Sequence, residues 1–103
     1  AVKAYLDASI AKDAAKQKEA LDQLLANADQ IATFLSGANP NLPKDVLLGL
    51  LQAHGGHHMN QIQQLIAKDY SSEAETWADM SQHMYTIADA LADGIAEQFP
   101  QKF

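Results

Sequence analysis

The chain has 103 residues, a formal net charge of −6 and a pI near 4.9, and its seven basic residues are all lysines. That length fits one domain, 1–103, with a single modest core, and an acidic balance without arginine speaks against a nucleic-acid partner. No run of about 18 apolar residues is present to insert into a membrane, and the absence of cysteine removes disulfides, thiolate nucleophiles and cysteine-ligated zinc or iron–sulfur sites.

Alanine, leucine, glutamine and aspartate dominate, glycine and proline are few, and β-branched residues occur singly, which is an all-helical composition. Ala1 to Ala11 reads as a short helix carrying Tyr5 and Ile10, with Asp13 as the cap of the next. Leu21, Leu24, Leu25, Ala28, Ile31, Ala32 and Leu35 then recur at helical spacing as far as about Ser36. Gly37 is expected to cap that helix and Pro43 to sit in the first turn of the third. The third helix should run from about Lys44 to Lys68, with Leu47, Leu50, Leu51, His54, His58, Ile62, Leu65 and Ile66 on one stripe. Asp69 to Ser72 forms the turn, Ser72 and Glu75 have the form of a capping box, and Phe99-Pro100 ends a fourth helix. That helix is expected to turn Trp77, Met80, Met84, Ile87, Leu91 and Ile95 inward.

Short connections make these helices antiparallel neighbours, so the expected fold is an all-α up-down bundle of one short and three long helices. The first helix is too short to cover the groove between the other three. A homodimer, or a preceding N-terminal half of a longer chain, is expected to supply the missing wall. The start at Ala1-Val2-Lys3, without an initiator methionine, fits a processed product or a fragment.

Within this pattern His54-Gly55-Gly56-His57-His58 gathers three of the four histidines into five residues. Two adjacent glycines cost about 1 kcal/mol each in a helix interior, so propensity does not account for them. Folding the third and fourth helices about Tyr70-Ser71 brings His58 level with His83, and His54 lies one turn from His58 on the same face. His54, His58 and His83 are therefore expected to converge across one seam, while His57, about 100° away, drops to the edge. Asp22 and Tyr5 fall at the same height, Met59, Met80 and Met84 are neighbours, and Gly55 and Gly56 leave room for a ligand or a close helix.

Three imidazoles on facing helices suit a transition metal, with Zn, Cu and Ni the candidates and nearby methionine favouring copper(I). No glutamate stands three residues before any of these histidines, which excludes the Glu-x-x-His pattern of di-iron bundles. Haem held by His54 or His58 with His83 is a second reading. A third is a structural or partner-binding module whose histidines are ordinary core residues or respond to pH. No Gly-x-Ser-x-Gly, phosphate loop or matched serine and base supports catalysis, so a binding protein is expected rather than an enzyme.

The run from His83 to Leu91, followed by Asp93-Gly94-Ile95, Gln98-Phe99-Pro100 and Lys102-Phe103, resembles the C-terminal end of an uncharacterised bacterial helical-bundle family. Asn27 to Ala32, Phe34-Leu35-Ser36 and Ala38-Asn39-Pro40 resemble its second helix. The resemblance implies a longer parent of two similar helical halves, often bearing an export signal and hence periplasmic or secreted, of which this chain is the second half. It also implies that histidine at positions 54 and 83 is shared, whereas His57 and His58 depart from the family pattern.

Overall fold

The computed structural model describes residues 1–103 and is helical almost throughout. Helix α1 spans Val2–Ile10, α2 Ala14–Ala38, α3 Lys44–Ile66 and α4 Tyr70–Gln98, and a 3-10 turn, Pro100–Lys102, follows. This is the all-α antiparallel bundle of one short and three long helices that the periodicity predicts.

Two of its turns come from one tetrapeptide used twice. Ile10-Ala11-Lys12-Asp13 joins α1 to α2, and Ile66-Ala67-Lys68-Asp69 joins α3 to α4. In each the lysine takes a left-handed conformation, φ 56° at Lys12 and 58° at Lys68. The following aspartate amide reaches back to Ala8 O or Gln64 O, closing the same C-terminal motif. Each aspartate then caps the next helix, its carboxylate accepting from the Lys16 or Ser72 amide at 3.1 Å. Asp13 is the expected cap. The second corrects the expectation for Ser72: Asp69, three residues earlier, is the cap, and the Ser72 hydroxyl donates to it at 2.8 Å.

The remaining connection is irregular. Helix α2 runs through Gly37 to Ala38, so Gly37 is not its cap; Asn39 ends it in an extended conformation, and Pro43 stands just before α3. Asn39 is buried, donates its amide to the Gly94 carbonyl at 2.8 Å and accepts from the Asn41 amide at 2.9 Å. Leu42 drops behind it onto Ala32 and Leu47, against Leu91. A Cβ at Gly94 would collide with the Leu42 side chain, so glycine there permits the contact.

Helix α3 lies between α2 and α4, while α1 packs on α2 and α3. The Gln63 amide of α3 donates to Tyr5 Oη and Ser9 Oγ, both at 3.1 Å. Helices α2 and α4 have no Cα pair within 8 Å, so the bundle is an open layer measuring 52 × 28 × 17 Å. Its radius of gyration is 16.1 Å, against about 13 Å for a compact chain of this length.

Openness explains where burial departs from the periodicity. An outer helix of a layer has one flank covered, so only a strip of its apolar stripe is enclosed. On α2 the buried residues are Ala20, Ala28 and Ala32, whose small side chains let the neighbouring helices approach, while Leu21, Leu25 and Ile31 stay exposed. Of the residues expected inward on α4, Met80 is buried, and Ile87 and Leu91 are half-buried. Trp77, Met84 and Ile95 face solvent, Trp77 with 58% of its surface accessible.

Candidate functional site

Helix α3 carries the His54 to His58 segment without a break despite its glycines, and the two have different surroundings. A Cβ on Gly55 would stand 2.7 Å from Leu24 Cδ2, whereas one on Gly56 would meet nothing within 4 Å. Gly55 thus answers to the close approach of α2. Gly56 is exposed and leaves no gap that a helix fills.

The four imidazoles gather as two pairs. His54 and His58, one turn apart, bring their Nε2 atoms to 3.2 Å, with ring centroids 4.7 Å apart and planes at 85°. His57 and His83 meet across the α3–α4 seam, ring centroids 5.6 Å apart. His57 is therefore not the edge residue that its offset from the stripe suggests. Helix α4 packs against the flank of α3 that carries His57 and Gln61, where buried Gln61 donates to Glu73 at 2.8 Å, and that flank lies beside the predicted stripe. The signal available in the sequence was the Gln61 and His57 spacing of one turn, a polar row along the leucine stripe.

His83 contacts His57, and no three His, Asp or Glu side chains as they stand converge as the ligands of one ion. Asp22, expected at this height, is exposed and paired with Lys18 at 2.6 Å. Tyr5 accepts from Gln63 instead. Met59 and Met80 are buried in the packing, and Met84 is exposed beside the seam.

Two buried nitrogens in the cluster have no partner: His54 Nδ1 and His83 Nδ1. An imidazole enclosed with one nitrogen unsatisfied carries a desolvation cost that a bound group, ion or water would offset. Burial, reinforced by the charges of His58, His83 and His57, holds the His54 imidazole below the usual histidine range. It is consequently neutral at pH 7, the form in which imidazole ligates metals.

His54 and His58 open into a groove of about 240 Å³ between α2 and α3, walled by Val2, Leu24, Ile31 and Leu51. A second depression, of about 430 Å³, between α1 and α2 is lined largely by alanines and charged side chains and holds no histidine. No helix is long and apolar enough to cross a membrane. No known protein family, curated protein or solved structure matches the chain.

Proposed function

We propose that this protein binds a transition metal ion, Zn, Cu or Ni, at the His54 and His58 pair. The Nε2 to Nε2 distance of 3.2 Å carries the proposal. Two nitrogens each about 2.0–2.1 Å from a tetrahedral ion stand about 3.3 Å apart, so this pair has the spacing of two ligands on one metal. The chemistry of the set is that of neutral imidazoles without carboxylate, which suits borderline and softer ions over calcium or magnesium.

Haem fits less well. The two Nε2 atoms of the α3 pair stand 3.2 Å apart on one helix and so cannot take opposite faces of a ring plane, and the groove is smaller than the roughly 300–1,000 Å³ usual for cofactor sites. The resemblance to exported tandem bundles extends the proposal to a periplasmic or secreted protein whose parent has a second helical half.

Dialysis against Zn, Cu or Ni, followed by elemental analysis, tests the site. About half an equivalent or more per chain is expected to be retained, and His54→Ala and His58→Ala should each abolish retention. Retention below about a tenth of an equivalent, or retention unchanged in both variants, sinks the metal reading.

A further inference from the structure

Helical spacing sorts the exposed side chains of the layer onto two faces. Helices α2 and α4 run in the same direction on opposite flanks of α3, and a rotation of about 100° per residue places Ile31 of α2 and the Trp77, Met84 and Ile95 row of α4 on one side, whereas Leu25 falls about 120° from Ile31 around α2. Ile31 of α2, Leu65 of α3, and Trp77, Met84 and Ile95 of α4 stand on it, all exposed. The His54–His58 groove opens at its middle, and α1 closes it only at one end, beside Val2. Glu75, Asp79, Asp89, Asp93 and Glu97, the exposed carboxylates of α4, fall on the other side of that helix.

We propose that a second copy of this chain docks face to face on this side, about a two-fold axis that brings the two His54–His58 pairs together. The area fits. The chain exposes 6679 Å² at 11.2 kDa, where a compact protein of that mass exposes about 5,700 Å². The excess, about 1,000 Å², is close to the roughly 800 Å² that each partner contributes to a standard interface. The charge distribution fits as well. Each copy carries a net charge of −6, yet α4 keeps its carboxylates off this face, so two copies meet here without burying like charges.

Symmetry supplies the remaining point. One chain offers two convergent imidazoles, and no three ligand side chains converge within it. A two-fold interface repeats the pair on the partner, giving four imidazoles for one tetrahedral ion. This last feature rests on the metal reading of the preceding subsection, whereas the docking itself rests on area, apolarity and charge.

Sedimentation equilibrium of the full chain, with EDTA and then with zinc, tests both parts separately. The expected result is a reversible dimer at about 100 μM in EDTA, tightened at least about tenfold by one zinc per two chains. Met84→Glu should weaken the dimer about tenfold or more in EDTA, because Met84 is exposed in the monomer and its replacement leaves the fold intact. Thr86→Glu, exposed and about 160° around α4 from Met84, should leave it unchanged, and circular dichroism checks that both variants are folded. A dimer that responds to Met84→Glu but not to zinc upholds the docking and removes the metal bridge. Wild-type protein that stays monomeric under both conditions, including one that binds zinc one-to-one, overturns the docking, as does a Met84→Glu variant that dimerises like wild type.

Discussion

Two regions of the bundle illustrate opposite treatments of a buried polar group. At the end near the α2–α3 connection, Asn39 uses both its donor and its acceptor, on the Gly94 carbonyl and the Asn41 amide, and Leu42 fills the space behind it. In the middle, His54 and His83 each bury a nitrogen with no partner, and the groove that His54 lines is open. A satisfied group behaves as part of the scaffold. An unsatisfied one, set in an open groove, marks the place where something outside the chain completes the hydrogen-bonding or ligand set.

Deleting the closed end should produce the largest effect on that contrast. Leu42→Ala removes a buried side chain from the Ala32–Leu47 cluster and should cost about 3 kcal/mol in urea denaturation. A cost near zero would show that the closed end is as loose as the middle. Next come the glycines. Gly94→Ala forces a methyl into the buried Leu42 and should destabilise by about 1–3 kcal/mol, whereas Gly56→Ala meets nothing and should stabilise by up to about 1 kcal/mol. Equal effects would erase the distinction between packed and free glycine.

His54→Leu probes the open middle. Replacing an imidazole that already has an unpaired nitrogen should change metal-free stability by less than about 1 kcal/mol, while removing any zinc-dependent rise in melting temperature. A loss above about 2 kcal/mol would class His54 with Asn39 as scaffold. The smallest effect concerns the two identical turns. Hydrogen bonds from Ser72 hold the Asp69 carboxyl below the usual aspartate range, and bonds from Lys16 do the same for Asp13. A carboxylate with a depressed folded pKa contributes stability above its unfolded value near 3.8, and that contribution is lost as pH falls through the lower, folded value. Asp69→Ala should therefore lower the melting temperature at pH 7, and the gap from wild type should narrow as the pH drops below about 4. A gap independent of pH would mean that the carboxylate charge plays no part.

Much of this was open to sequence reading, and the parts that were not share a cause. The four helices and the Asp13 cap follow from local spacing and turn chemistry, which act over a few residues. Asp69 was misassigned because Ser72 and Glu75 imitate a capping box, although the Ala-Lys-Asp repeat pointed to the correct turn. His54 and His58 as a pair were legible from their spacing of four. The partnership of His57 with His83 had only the polar row of His57 and Gln61 to point to it, because it depends on which flank of α3 receives α4.

By itself the sequence determined that the chain is helical, where its helices begin and end to within a few residues, and which stripe of each is apolar. Only the tertiary structure decided that the three long helices form an open layer, and that the histidines divide into two pairs. The physical reason is that periodicity defines a face through the covalent geometry of one helix, whereas covering that face depends on how neighbours are arranged in space. Here α1 has nine residues, too few to span the groove, and the apolar edges of α2 and α4 are left uncovered around two imidazoles.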